Sequence, residues 1–251
     1  MDGGILDDKW KVTSVPPTLR DNEVHIWHLD LNQGRKSLNS FFDLLSDDEK
    51  HRAERFVFAR NKEYFITGRG TLRKVLGGYL DKSPEALRFS LRHYGKPDLS
   101  NGNSHLRFNV SHSHGMAVIA VALNREVGVD IEFVNFDFDV SSVARNVFSA
   151  GEYLRFEALS PNGQVLAFFA AWTRKEALLK ALGDGLSSSD ELQAAVSFVS
   201  DADVLYRSFE NNKSTDWSLT SFSIHDDFKA ALVVEGKIGA ISRWKLPDGQ
   251  D

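Results

Sequence analysis

The sequence contains no cysteine among its 251 residues. This absence excludes a disulfide scaffold, a cysteine nucleophile, and any zinc or iron–sulfur site that needs thiolate ligands. Long apolar runs are also missing, since the two longest, Met116–Leu123 and Val165–Trp172, have eight residues each. Eight residues are too few to span a bilayer, so we expect no membrane partner. The N-terminus lacks a basic segment followed by an apolar one, which predicts a cytoplasmic protein without a signal peptide.

Charge is distributed unevenly along the chain, whose net charge is −5. Residues 1–124 carry 18 Lys and Arg against 15 Asp and Glu, whereas residues 125–251 carry 12 against 20. The segment 50–107 alone holds 13 basic and 5 acidic side chains. A basic first half suits an anionic ligand and an acidic second half suits a metal cation, although solvated helix faces explain the same counts. The acidic balance and the absence of a nucleic-acid-binding sequence pattern predict no nucleic acid partner.

Helix and strand patterns occur in both halves. Capping boxes at Ser46/Glu49 and Ser149/Glu152 predict helices that run to about Phe58 and about residue 159. Apolar residues at helical spacing predict two longer helices over 61–80 and 164–182. Strands are predicted at 25–31, 87–92, 107–111, 116–123, 127–133, 195–199, 217–225, 229–235 and 241–246.

These elements predict an α+β fold, because they do not follow the strict alternation of a doubly wound parallel sheet. We expect two pseudo-symmetric lobes, each of antiparallel strands packed with helices. The N-terminal lobe covers residues 1–124 and the C-terminal lobe covers residues 125–251. The first 22 residues, which include Pro16-Pro17, predict a loosely held arm.

An acidic pair, Asp130 and Glu132, lies within the segment Gly128–Glu132. Residues two apart on a strand point to the same face, so both carboxylates share one face and Val129 and Ile131 share the other. Two neighbouring carboxylates repel each other unless they are solvated or share a cation. The pair is therefore either a Mg²⁺ site that also uses substrate phosphates or the solvated face of a half-exposed strand.

Trp172, Glu176 and Lys180 form a second constellation, with spacing i, i+4 and i+8 along a helix. The preceding turns are so apolar that this stripe is expected to begin inside the protein. A buried carboxylate and a buried ammonium must be paired or must meet a charged ligand. A surface ion pair between Glu176 and Lys180 is the alternative.

Two polar motifs lie in the first half. The segment Asn109–Gly115 ends a strand in hydroxyls and imidazoles, a composition that can hold phosphate oxygens. The segment Tyr94–Pro97 predicts a turn that presents one lysine, although most such turns are only turns.

Taken together, these motifs resemble those of the Sfp-type 4′-phosphopantetheinyl transferases. The matching segments are YGKP at 94–97, NVSHS at 109–113, GVDIE at 128–132 and WTRKEALLK at 172–180, in the order that the family has them. Similarity extends to residues 45–56, 68–73 and 183–186, so it covers about residues 45–190. The resemblance implies two lobes with coenzyme A bound in the cleft between them. It also implies a monomer that transfers phosphopantetheine from CoA to a serine hydroxyl of an apo acyl, peptidyl or polyketide carrier protein, releasing 3′,5′-ADP.

The resemblance also implies roles for individual residues. Asp130, Glu132 and Glu176 would hold Mg²⁺, while Lys180 would neutralise the pyrophosphate. Ser111 and His112 would contact phosphates of CoA. The expected catalytic residues are Glu176 as general base, Lys180, Asp130 and His112. The basic positions around the nucleotide would be Arg52, Arg69, Arg73 and Lys96, and Glu152 would assist at the metal site.

Glu49 departs from the family pattern, because some relatives have a lysine near CoA at this position. The corresponding contact would then move to Lys50 or Arg52. A non-catalytic module that binds CoA or a carrier is the alternative to an enzyme. The presence of all three carboxylates together with Lys180 favours the enzyme, since a binding module does not need the metal ligands.

Overall fold

The computed structural model describes residues 10–33, 37–91, 96–100, 105–183, 204–210 and 213–247. Within these ranges the helices are α1 (Leu38–Asp43), α2 (Asp47–Glu54), α3 (Ala59–Leu80), α4 (Val140–Val147), α5 (Ala150–Glu157) and α6 (Pro161–Leu182). The strands are β1 (Lys11–Val12), β2 (Glu23–Asp30), β3 (Phe89–Leu91), β4 (Pro97–Leu99), β5 (Leu106–Ser113), β6 (Met116–Leu123), β7 (Val127–Phe133), β8 (Val204–Glu210), β9 (Lys213–Phe222), β10 (Phe228–Glu235) and β11 (Ala240–Lys245).

Two sheets form the centre of the fold. The first has the strand order β1-β11-β2-β6-β5 and the second has the order β7-β10-β9-β8. The two sheets pack face to face through apolar side chains such as Ile26 and Val118 from the first and Val129 and Leu232 from the second. Helix α3 covers the outer face of the first sheet and α6 covers the outer face of the second, which makes four layers.

Strand β6 shows that the first sheet is buried on both of its faces. All eight of its residues are apolar, and Val118 and Ala120 face the second sheet while Ile119 and Val121 face α3. A strand that is buried on both faces is expected to be continuously apolar. The sequence therefore encodes a strand with helix on one side and sheet on the other.

The α+β class predicted from the sequence is confirmed, with antiparallel strands packed against helices. Strands β6 and β7 have the predicted bounds. Both capping boxes are present, at the start of α2 and at the start of α5. Helix α6 begins at Pro161, three residues before the predicted start at Gln164.

The C-terminal strand differs from the expected arrangement of two antiparallel lobes. Strand β11 lies in the second half of the sequence, yet it joins the first sheet and runs parallel to β2. The first sheet is therefore mixed. The division into lobes at residues 124 and 125 stays a prediction, and the sheets themselves do not follow it.

The expectation of a loosely held arm is wrong for residues 10–22. Strand β1 pairs with β11, Leu19 is buried, and Pro16 packs so closely on Gly78 that a side chain there would collide with it. The sequence also did not predict helices α1 and α4 or strands β4 and β8. The predicted strand at 195–199 lies outside the described residues. Within the described ranges, no helix combines the length and the apolar composition needed to cross a membrane.

Candidate active site

A cavity of about 290 Å³ opens where β5, β7 and α6 meet. It lies at the junction of the two sheets, because β5 is the last strand of the first sheet and β7 is the first strand of the second. The described residues that line it are Val110, Ser111, His112, Asp130, Glu132, Trp172, Glu176 and Lys180. The acidic pair on β7, the Trp172–Glu176–Lys180 stripe on α6 and the polar end of β5 therefore meet in one cavity.

Strand β7 brings Asp130 and Glu132 to the cavity by simple alternation. Val129 and Ile131 are fully buried between the two sheets, so the carboxylates lie on the face that meets α6. Gly128 shares that face, and its contact with α6 is so close that a Cβ atom there would lie 2.1 Å from the carbonyl oxygen of Ala177. The predicted placement of both carboxylates on one face is confirmed.

Helix α6 brings Trp172, Glu176 and Lys180 to the same cavity. Its first turns pack their apolar side chains against α4 and α5, which fixes the rotation of the helix. The ammonium of Lys180 lies 2.6 Å from Oδ1 of Asp130 and donates to Oγ of Ser111 at 3.0 Å. Lys180 thus pairs with Asp130 across the α6–β7 contact and not with Glu176 along the helix.

Ser111 and Ser113 on β5 connect the two acidic side chains to the first sheet. The hydroxyl of Ser111 donates to Oδ1 of Asp130 at 2.8 Å, and the hydroxyl of Ser113 donates to Oε2 of Glu132 at 2.9 Å. Both serines are buried. These hydrogen bonds fix the two carboxylates relative to β5.

The three carboxylates all have raised pKa values. Burial raises the pKa of Asp130, although Lys180 and Ser111 act in the opposite direction. Burial raises the pKa of Glu132, against the hydrogen bond from Ser113. Burial and the charge of Asp130 raise the pKa of Glu176. Each carboxylate would be stabilised in its ionised form by an additional positive charge nearby.

The cavity has a composition that fits a divalent cation. Among its described lining residues, three carboxylates face one ammonium, an excess of two negative charges when all are ionised. Oδ2 of Asp130 is buried and has no hydrogen-bond partner in the described part of the chain. As placed in the structure, no three His, Asp or Glu side chains among the described residues form a group that could hold a metal ion. Mg²⁺ sites in proteins typically use only one or two carboxylates, together with water and substrate phosphates.

Arg69 and Arg73 do not line this cavity. Both donate to the carboxylate of Glu49, Arg73 through Nε at 2.7 Å. The side chain of Arg73 is 1% exposed and also donates to the carbonyl oxygens of Pro84 and Leu87. Arg73 is therefore held inside the fold, whereas Arg69 is partly exposed and stacks on Phe89.

Arg52 and Lys96 also lie outside the cavity lining. The guanidinium of Arg52, which belongs to an exposed residue, lies 5.1 Å from the ring centre of Phe65. Lys96 donates to Glu126 at 3.1 Å and to the carbonyl oxygen of Val127, at the start of β7. Of the predicted CoA contacts, only Ser111, His112 and Lys180 line the cavity.

Glu152 is not among the described residues that line the cavity, and its role at the metal site stays a prediction. It caps the start of α5 by accepting from the backbone of Ser149, and it pairs with the buried ammonium of Lys175. Tyr94-Gly95 and residues 184–186 of the matched motifs lie outside the described residues.

Asn109 and Ser113 have structural roles that the sequence did not predict. Asn109 accepts the backbone N–H of Val129 at 2.9 Å, and Ser113 contacts Glu132. Their spacing could have indicated these roles, because polar residues at 109, 111 and 113 share one face of a strand.

Comparison with known proteins covers both halves of the chain. Residues 126–233 match a family model described as the 4′-phosphopantetheinyl transferase superfamily, and residues 32–124 match one described as 4′-phosphopantetheinyl transferase, N-terminal. The chain is 36% identical to the 4′-phosphopantetheinyl transferase HetI of Nostoc sp., over 92% of this chain and 96% of that protein. It is 34% identical to a putative 4′-phosphopantetheinyl transferase of Synechocystis sp., over 57% of this chain and 59% of that protein. Identity to the transferase Sfp of Bacillus subtilis is 28%, over 64% and 70% of the two chains.

Proposed function

The chain belongs to the 4′-phosphopantetheinyl transferase superfamily, whose members attach phosphopantetheine to carrier proteins, and on this premise we propose how its cavity performs the transfer. The donor is coenzyme A and the acceptor is a serine hydroxyl of an apo acyl, peptidyl or polyketide carrier protein. The observation that carries the proposal is the meeting of Asp130, Glu132, Glu176 and Lys180 in one cavity between the two sheets.

The reaction exchanges one phosphorus–oxygen bond for another. The serine oxygen of the carrier attacks the β-phosphorus of CoA, and the bond between that phosphorus and the bridging oxygen breaks. The serine proton goes to a base, and 3′,5′-ADP leaves with the electrons of the broken bond. Phosphoryl-type transfer depends mainly on positioning and charge neutralisation, which the cavity residues can provide.

Asp130, Glu132 and Glu176 are proposed to hold Mg²⁺. When bound, this ion would neutralise charge on the pyrophosphate and act as a Lewis acid at its oxygens. Oδ2 of Asp130 has no hydrogen-bond partner among the described residues, and the described lining side chains carry an excess of two negative charges, which supports this assignment. Glu132 lines the cavity, and Ser113 donates a hydrogen bond to its carboxylate.

Lys180 and Glu176 are proposed to act on the reacting groups. The ammonium of Lys180 contacts Ser111 and Asp130 in the cavity. It would donate to the pyrophosphate and stabilise the negative charge of departing 3′,5′-ADP. Glu176 would accept the serine proton at its carboxylate, directly or through a water molecule. Its place in the cavity beside Asp130 and Lys180 supports this role, because a general base must lie within reach of the proton that it accepts.

His112 and Ser111 are proposed to contact CoA phosphates, since both line the cavity. Arg52, Arg69 and Lys96 would contribute positive potential around the nucleotide. Arg73 would act indirectly, because its guanidinium holds Glu49 and two backbone carbonyls. We further propose that the enzyme acts as a monomer, and CoA as donor supports action in the cytoplasm.

The test is the intact mass of an apo carrier domain after incubation with the protein, CoA and MgCl₂. We expect a gain of one phosphopantetheine, no gain in EDTA, and no gain with the Asp130→Asn variant. If acyl, peptidyl and polyketide carriers all remain unmodified while calorimetry shows CoA binding, the chain is a CoA-binding module and the proposed reaction is wrong.

A further inference from the structure

Strands β5 and β7 belong to different sheets and are joined by side chains. Three polar residues on one face of β5 each accept a backbone N–H from β7. Asn109 Oδ1 accepts from Val129 at 2.9 Å, Ser111 Oγ accepts from Ile131 at 3.4 Å, and Ser113 Oγ accepts from Phe133 at 3.1 Å. We call this set of three contacts the seam.

The seam satisfies donors that the second sheet leaves unpaired. Strand β7 is the first strand of its sheet, so β10 pairs with it on one side only. In an antiparallel edge strand, alternate N–H groups point away from the partner strand. Those of Val129, Ile131 and Phe133 are directed to β5, and buried N–H groups of this kind need an acceptor.

Two of the seam residues have a second contact. Each serine accepts the N–H of one β7 residue and donates its hydroxyl proton to the carboxylate of the preceding residue. Ser111 thereby contacts Ile131 and Asp130, while Ser113 contacts Phe133 and Glu132. The third contact, from Asn109, is next to Gly128, where α6 approaches too closely to leave room for a side chain. The seam therefore sets both the register of β7 and the direction of its carboxylates.

We propose that Asn109 and Ser113 are positioning residues of the transferase. Asn109 holds the first part of β7 at its distance from β5, and Ser113 orients Glu132 toward the cavity. The inference rests on the proposed function, because it assumes that Asp130 and Glu132 serve the transfer. Neither residue touches the substrate in this proposal, and both act through β7.

The test compares Ser113→Ala and Asn109→Ala with two controls. Ser113→Thr keeps the hydroxyl. Ser218→Ala removes another buried serine hydroxyl, one that donates to the carbonyl oxygen of Gly236 and lies outside the cavity. Residues 113 and 218 are equally exposed, at 8%, so the two alanine variants lose comparable burial. Ser113→Ala removes the contacts with Glu132 and Phe133, and Ser218→Ala removes the one with Gly236.

The first readout is Mg²⁺ binding by calorimetry with CoA present and carrier absent. Loss of a hydrogen bond to a metal-binding carboxylate typically costs about 10- to 100-fold in affinity or activity. We expect that loss in Mg²⁺ affinity and in kcat for Ser113→Ala, recovery with Ser113→Thr, and unchanged values for Ser218→Ala. Equal effects of Ser113→Ala and Ser218→Ala would overturn the proposal, since stability alone would then explain them.

The second readout is amide hydrogen exchange, which needs no activity. Loss of one hydrogen bond predicts exchange faster by about fivefold at Phe133 in Ser113→Ala and at Val129 in Asn109→Ala. Unchanged exchange at these amides would overturn the seam as described. If the wild-type chain transfers no phosphopantetheine, the proposed function fails instead, and amide exchange still decides whether the seam holds β7.

Discussion

The carboxylates of the cavity lie where the fold disfavours their ionised form. Glu176 is the clearest case, because burial and the neighbouring carboxylates Asp130 and Glu132 raise its pKa. A group whose ionised form is disfavoured in the folded protein lowers stability when it is charged. A carboxylate that only supported the fold would not be expected at such a position, which is typical of a functional site.

The substitution Glu176→Gln separates stability from activity. It removes the disfavoured charge and keeps the shape, so we expect a free energy of unfolding equal to or above that of the wild type. Transfer should fall by about 100-fold or more, since a general base typically contributes about 100- to 10,000-fold. Urea unfolding and the carrier mass assay measure the two quantities. Loss of stability together with activity would show that Glu176 has a structural role.

Glu49 has the opposite electrostatic environment. Burial alone would raise its pKa, but hydrogen bonds and charge from Arg73 and Arg69 outweigh burial and lower it. A lowered folded pKa means that the ionised carboxylate stabilises the fold above its ordinary pKa of 4.5, and that this stabilisation is lost as pH falls through the folded value.

We therefore expect Glu49→Gln to lower the free energy of unfolding by about 3 kcal/mol near pH 7, as for other broken buried ion pairs. The difference from wild type should stay constant down to about pH 5.5 and shrink below pH 4.5. Denaturant unfolding across this range measures it. A difference that does not depend on pH would mean that packing of Glu49, and not its charge, matters.

At the residue scale, sequence patterns gave part of the site. Alternation placed Asp130 and Glu132 on one face, and helical spacing brought Glu176 and Lys180 to the same cavity. The partner of Lys180 was not predictable from spacing, because Asp130 lies 50 residues away in sequence. Burial of Arg73 was also not predictable, since a basic side chain in a positively charged segment favours a surface position.

At the scale of elements, the contact between α6 and β7 decides where the functional groups meet. Gly128 permits this contact, because α6 backbone atoms of Ala177 and Ala181 lie within 2.1 to 2.9 Å of the position that a Cβ atom would take. These atoms belong to helix backbone and cannot move away as a flexible side chain would. Both strand and helix would have to separate to accept a larger residue.

The substitution Gly128→Ala should therefore destabilise the fold by about 3 kcal/mol, at the upper end for overpacking, and abolish transfer. Gly151→Ala is the matched control, since a Cβ atom there meets nothing within 4 Å. Gly151 lies in α5, where alanine is expected to raise stability by about 0.5–1 kcal/mol. Thermal unfolding of both variants measures the contrast. Similar stabilities would show that β7 and α6 can move apart without cost.

Elements with strong local signals were predicted well, and those defined by distant partners were not. Strands β6 and β7 follow from their apolar composition and turns, and α2 and α5 follow from capping boxes. Helix α4 has no comparable start signal of the S-x-x-E type. The parallel pairing of β11 with β2 joins residues more than 200 positions apart, and such pairing depends on tertiary packing that no local pattern records.

At the scale of the whole molecule, the described strands show two crossings of the chain between the two sheets. It passes from β6 to β7 and later from β10 back to β11. Arg125 in the first crossing donates to the carbonyl oxygen of Lys237 in the second at 2.7 Å, and to that of Glu23 at the start of β2. The apolar layer between the sheets also draws on both halves of the sequence. The two halves therefore depend on each other for their cores.

This dependence predicts how the chain behaves when it is divided at residues 124 and 125. The fragment 1–124 lacks β11, so the edge of β2 and the apolar face that meets the second sheet are exposed. We expect this fragment alone to show no cooperative unfolding, and the two fragments together to associate and recover transfer. Circular dichroism melts of each fragment and of the mixture measure this. Cooperative unfolding of isolated 1–124 would contradict the prediction and would show that the first lobe is an independent domain.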